Sequence, residues 1–149
     1  MNEDEKWMNL ALKQAKKAQE QGEVPVGAIL VKNGLLVAQA HNQPISTNDP
    51  TAHAEIQLIR AAGKKFKNYR LTGTSLYVTL EPCAMCLGAI MHARIKRVIY
   101  GAHDIKTGVC GSSENLIKAN CFNHKIDLDS GVLENESKHL LKKFFISRR

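Results

Sequence analysis

The sequence lacks any apolar run of about 18 residues, so nothing in it reads as a membrane span. Its first residues do not read as a secretory leader. Met1-Asn2-Glu3-Asp4-Glu5-Lys6 is acidic where an exported chain starts basic. No internal repeat, low-complexity tract or linker breaks the chain. Cysteine is limited to four residues, and with no export signal these thiols belong in a reducing, cytoplasmic compartment. Cys83 and Cys86 then read as metal ligands and Cys110 and Cys121 as free thiols, with a Cys110–Cys121 disulfide as the alternative.

What is present is ordinary globular material. At 149 residues the chain reads as one domain, residues 1–149. A chain of that size buries roughly 70% of the surface its unfolded form exposes. Hydrophobic residues make up 44% and charged residues 23%, enough for a core that needs no metal to hold it. A metal site here would therefore serve chemistry. The net charge of +7 fits a nucleic-acid or other polyanionic partner, or lysines that simply face water, and charge alone leaves both readings open.

Helical and strand periods alternate, which predicts a layered α/β domain. Trp7, Leu10, Ala11, Ala15 and Ala18 recur at helical spacing over residues 3–21, and Gly22 sits where a C-terminal cap is wanted. Residues 26–31 and 35–40 read as strands joined by Asn33-Gly34, a type I′ turn. Residues 42–48 read as a loop. Asp49-Pro50 then offers an N-cap and first position for a helix to about Ala62, closed by Gly63. A buried strand is predicted over 74–80, stopped by Pro82, and a helix over 83–93. Short strands at 97–101 and 125–128 precede a terminal helix, 133–147, with Leu140, Leu141, Phe144 and Phe145 as its apolar stripe. The helix at 83–93 is apolar nearly all round, which predicts cover on more than one side.

Two short stretches carry the chemistry: His53-Ala54-Glu55, and Pro82-Cys83-Ala84-Met85-Cys86. A structural zinc site fills four tetrahedral positions with protein atoms, whereas a catalytic one leaves a position open for water. His53, Cys83 and Cys86 supply three ligands, and Glu55 is left free to move protons. Cys83 and Cys86, at i and i+3, share one helix face. His53 and Glu55, two apart, share a site only if it lies over the end of their helix. Helix N-termini carry partial positive charge, which lowers thiol pKa values. Either motif alone is a weak signal; the joint pattern H-x-E, then P-C-x-x-C, is the zinc-deaminase signature.

Beyond that signature the chain carries Gly22-Glu23-Val24-Pro25-Val26-Gly27-Ala28, His41-Asn42, Asn68-Tyr69-Arg70-Leu71, Lys106-Thr107-Gly108 and Phe144-Phe145. On these segments it resembles the bacterial tRNA-specific adenosine deaminases, within the zinc-dependent cytidine/deoxycytidylate deaminase superfamily. The resemblance implies an α/β, cytidine-deaminase-like three-layer α/β/α sandwich with a five-stranded mixed sheet. It implies one Zn2+ per subunit on His53, Cys83 and Cys86, with Glu55 as proton shuttle. It implies substrate contacts from Asn42, Pro25, Ala54, Asp104 and Phe145. The expected partner is a tRNA anticodon stem-loop, and the expected assembly a homodimer. The implied reaction is attack of zinc-bound hydroxide on C6 of the wobble adenine, with loss of ammonia to give inosine. His103 departs from the Arg or Asp that related sequences often carry there. Lys142, Lys143, Arg148 and Arg149 form a basic cluster, read either as RNA contacts or as a solvated end.

Overall fold

The structure, a computed structural model, describes residues 2–148. Ten elements follow one another: α1 (Glu3–Glu20), β1 (Gly27–Lys32), β2 (Leu35–His41), α2 (Pro44–Thr47), α3 (Ala54–Phe66), β3 (Thr74–Leu80), α4 (Ala84–Ala93), β4 (Arg97–Ala102), β5 (Asp127–Asp129) and α5 (Glu134–Ser147). The strands form a single five-stranded sheet in the order β2-β1-β3-β4-β5. β1 runs antiparallel to both β2 and β3, while β3, β4 and β5 are parallel, so the sheet is mixed as expected.

Strand pleating sorts the core into two layers. Ala28 and Leu30 of β1, Leu76 and Val78 of β3, and Val98 and Tyr100 of β4 face Leu58 and Ala62 of α3 and Leu87, Ile90 and Met91 of α4. The alternate residues Ile29, Val31, Tyr77 and Ile99 pack under Trp7, Met8 and Ala11 of α1. Both sheet faces are therefore covered, and the fold is an α/β/α sandwich. α1 lies almost on the backbone of β1. A Cβ added to Gly27 would meet the Ala11 carbonyl and come within 2.5 Å of Ala15 N. Among the described residues no helix is long and apolar enough to cross a membrane.

Several local expectations hold. Asn2 caps α1 by accepting from the Glu5 amide at 2.8 Å. Gly22, at φ +79°, closes the helix while Glu23 N–H donates to Ala18 O at 2.9 Å. Asn33 and Gly34 both have positive φ, as a type I′ turn requires. Other expectations need correction. The helix expected to open at Asp49-Pro50 begins at Ala54, because Asp49 Oδ1 instead accepts from the Thr51 amide at 2.8 Å and its hydroxyl at 2.7 Å. That local turn postpones the helix by a full turn. Gly63 lies inside α3, which ends at Lys67 in a left-handed conformation (φ 53°). The loop at 42–48 contains the short α2, and β5 starts two residues late, at Asp127. Of the stripe expected on α5, only Phe144 is buried, and Phe145 is 51% exposed. All four cysteines are free thiols, so no Cys110–Cys121 disulfide forms.

The N-terminal helix is tied to the sheet by charge. Arg97 donates to both carboxylate oxygens of Asp4 (2.9 and 2.8 Å) and to Asp129, and the Tyr77 hydroxyl donates to Asp4 at 2.7 Å. The hydrogen bonds from Arg97 hold the Asp4 carboxyl below its usual range against the opposing effect of burial. A carboxyl held low when folded stabilises the fold above its unfolded pKa and loses that contribution as pH falls through the folded value. Asp4→Asn should therefore cost about 1 kcal/mol at neutral pH. In urea unfolding, the gap to wild type should close as pH falls below about 4, the unfolded value, and through the lower folded one.

Candidate metal centre

The two chemical motifs meet because two helices start at the same point. β3 ends where Pro82, lacking an N–H, cannot continue the ladder, and Cys83 becomes the N-cap of α4 with extended backbone (φ −81°, ψ 176°). His53 holds the same position on α3 (φ −66°, ψ 156°). Their carbonyls accept the opening helical bonds, from Gln57 N–H at 3.0 Å and Leu87 N–H at 2.9 Å. Neither side chain turns back to cap its own helix. For α3 that duty passes to Asn42, whose Oδ1 accepts from the Ala54 amide at 2.8 Å. The imidazole and both thiols are thus free to face one another.

His53 Nδ1 lies 3.7 Å from Cys83 Sγ and 3.5 Å from Cys86 Sγ, and all three donor atoms sit within 4.8 Å of one another. A tetrahedral zinc with ordinary Zn–N and Zn–S bonds sets N···S edges of about 3.6 Å. One nitrogen and two sulfurs at this spacing fit zinc and leave one tetrahedral position without a protein ligand. The hydrogen bond from Cys86, followed by that from His53, pulls the Cys83 thiol down to about 4. The shared hydrogen bond and burial drive Cys86 up in turn, and the hydrogen bond to Cys83 raises His53. The cluster already carries thiolate character of the kind a divalent cation binds.

Glu55 sits in the first turn of α3, only 4% exposed, so the geometry that His53 and Glu55 needed is met at the helix end. Burial pushes its carboxyl up to about 7, while its own backbone amide pulls partly against the shift. A carboxyl poised there accepts and returns protons near neutral pH. A cleft of about 210 Å³ opens onto the cluster, lined by His53, Glu55, Cys83, Asn42, Asp104 and Thr107 among others. Through Val24, Leu80, Asp104 and Thr107 it continues into a groove of about 550 Å³ that reaches Phe145.

The expected pocket residues fall into two groups. Asn42 and Asp104 line the cleft itself, and Phe145 lines the outer groove. Pro25 and Ala54 are buried behind the cleft surface, whose neighbouring wall comes from Val24, Val26, His53 and Glu55. Arg148 is not a loose end: it donates to Gly22 O at 2.9 Å and lies 4.7 Å from the Phe144 ring centre. Lys142 and Lys143 are exposed, and Arg149 lies outside the described residues. Of two further buried carboxylates, Glu81 is among the residues that line the cleft and Glu23 accepts from the α2 amides of Ile45 and Ser46. The only hint of either in the sequence is an acidic residue beside an apolar strand.

Comparison with known proteins agrees with this geometry. Residues 1–102 match the family model for the cytidine and deoxycytidylate deaminase zinc-binding region. The tRNA-specific adenosine deaminase of Bacillus subtilis is 48% identical over 145 residues, covering 97% of this chain and 90% of the relative. That of Haemophilus influenzae is also 48% identical, covering 98% of this chain and 85% of the relative. The chain belongs to the tRNA-specific adenosine deaminase family. A solved structure from work on A-to-I editing by tRNA:A34 deaminases at the wobble position of transfer RNA is 46% identical, with a TM-score of 0.89 over 91% of this chain and 99% of the other.

As a member of that deaminase family, the chain should depend on its three-donor cluster for metal. Cys83→Ser, titrated with zinc against a chromophoric chelator, should bind at least about 100-fold more weakly than wild type. Unchanged affinity would remove Cys83 from the ligand set.

Proposed function

We propose that this chain, as one deaminase domain over residues 1–149, converts adenosine to inosine at the wobble position of a tRNA anticodon by hydrolysis. The observation that carries this reading is a buried carboxyl, Glu55, facing the same cleft as a zinc-fitting His53–Cys83–Cys86 cluster with one tetrahedral position left over. One zinc per subunit, when bound there, makes water nucleophilic at neutral pH. Glu55 would take one proton from that water and give it to N1 of the adenine ring, then carry the second, from the new C6 hydroxyl, to the amine that leaves as ammonia. Its carboxyl is suited to both halves, since a group poised near 7 is a competent acid and base at cellular pH.

The other residues hold the base and its neighbours. Asn42 spends its carbonyl oxygen on the α3 amide, which leaves its NH2 as the polar group to meet the nucleotide. Asp104 and Thr107 form the opposite wall. Pro25 and Ala54 set the walls from behind, by fixing the backbone of Val24, Val26, His53 and Glu55. A free base would fill the cleft alone. The wider groove running out to the exposed Phe145 suits flanking nucleotides of an anticodon stem-loop, with an aromatic face for stacking. The net charge of +7 favours the same polyanionic partner. α4 buries Leu87, Ile90 and Met91 but leaves Ala84 and Met85 exposed and Gly88 and Ala89 half-buried, an apolar face suited to a second copy in a homodimer. A tRNA substrate and four free thiols both support a cytoplasmic location.

The test is inosine formation on an anticodon stem-loop with adenosine at the wobble position, followed by nuclease digestion and chromatography. Wild type should form inosine from this RNA and leave free adenosine, guanine and cytidine unchanged. Glu55→Ala should retain zinc and fold while losing at least about 10³-fold in rate. Turnover of that variant near wild type would remove the assigned role.

A further inference from the structure

A second buried carboxylate is among the residues that line the cleft. The Glu81 side chain, between the end of β3 and Cys83, is fully buried. Its oxygens accept from the backbone amides of Asp104 (3.1 Å), Cys110 (2.9 Å) and Ser112 (3.2 Å), and from the Ser112 hydroxyl. All four donors come from the 104–112 segment, the stretch that supplies Asp104 and Thr107 to the cleft wall. No lysine or arginine among the described residues pairs with Glu81. Its nearest basic group is His103, whose Nδ1 is 3.6 Å away and whose ring also reaches Tyr100, Ser112 and Glu134.

The segment lies directly on this carboxylate. A Cβ added to Gly108 would stand 2.6 Å from Glu81 Oε2 and 2.5 Å from the Asp104 carbonyl, so only glycine fits. Asp104 then folds the tip: its Oδ1 accepts from Lys106 and Thr107 amides at 3.2 and 3.1 Å, and its Oδ2 from the Thr107 hydroxyl at 2.7 Å. The two oxygens of a carboxylate can accept from several donors at once, and here the loop's four donors converge on them. Glutamine has the same shape but one acceptor oxygen, and its NH2 would confront amide N–H groups.

We propose that Glu81 is a positioning residue for RNA recognition: its carboxylate fixes the 104–112 loop, and with it the width of the cleft and outer groove, without touching the substrate. This rests on the wobble-deaminase reading given above. The zinc cluster and Glu55 are carried on α3 and α4, and the loop reaches them through the Val109 amide on Pro82 O (3.1 Å), a bond that does not involve Glu81, so loosening the loop weakens substrate binding more than the chemical step.

The experiment is steady-state inosine formation on the anticodon stem-loop by wild type, Glu81→Gln and Gly108→Ala, with zinc content measured for each. Gly108→Ala leaves the carboxylate in place and displaces the loop from it. Both variants should keep full zinc and raise KM by about tenfold or more, with kcat within about threefold of wild type. An unchanged KM in both, or a loss carried by kcat or by zinc content, would overturn the proposal. A wild-type protein that makes no inosine would defeat the deaminase reading instead. Amide hydrogen exchange then decides the loop's dependence separately: in Glu81→Gln the amides of Asp104, Cys110 and Ser112 should exchange faster while those of β3 do not. Equal exchange there would overturn the positioning role.

Discussion

The centre depends on two helix N-termini meeting at one point. His53 and Cys83 hold the same N-cap position on α3 and α4, and neither spends its side chain on capping. The parallel crossover from β3 through α4 to β4 fixes the start of α4 at the carboxyl end of the sheet, where α/β folds collect their ligands. The hydrogen bond from Ala54 to Asn42 fixes the start of α3 beside it. With both starts set, Cys86 falls one turn into α4 and Glu55 in the first turn of α3, and no further device is needed to aim them. The partial positive charge of both helix ends favours the thiolates and any anionic oxygen formed between them.

Three buried carboxylates surround this point, and their surroundings divide the work. At Glu23, burial acts to raise the pKa, but amide donors from Ser46 and Ile45 outweigh it and hold the carboxyl low. Glu23 is therefore a fixed anion that anchors α2 next to Asn42. Glu81 is satisfied by three amides and a hydroxyl of the opposite loop. At Glu55 full burial outweighs its own backbone amide, the nearby His53 and a hydrogen bond with Cys86, and the carboxyl is pushed up to about 7. A buried carboxylate supplied with several amide donors is held as a brace, while one with fewer is suited to carry protons.

Much of this was legible in the sequence, for physical reasons. The β1–β2 hairpin follows from Asn33-Gly34, and β3 and β4 from apolar runs that pack on both faces. The ligand set follows from counting donors against the four positions of zinc. The start of α3 misled because Asp49-Pro50 has the local chemistry of a helix opening, yet Asp49 satisfies Thr51 instead. The apolar stripe of α5 turns away from Phe145: Phe144 is buried and Leu141 packs half-buried on the core, while Phe145 is left exposed. Glu23 and Glu81 were not legible, since their partners lie 22 or more residues away along the chain and only the folded loops bring them together.

The central claim is hydrolysis: water supplies the oxygen that replaces the adenine amine. It is tested most directly by running the wobble-adenosine stem-loop reaction in 18O-labelled water and weighing the digested nucleoside. The account predicts inosine carrying one 18O atom, with one ammonia released per inosine. Inosine formed without the label, or no inosine from a zinc-loaded protein, would contradict it.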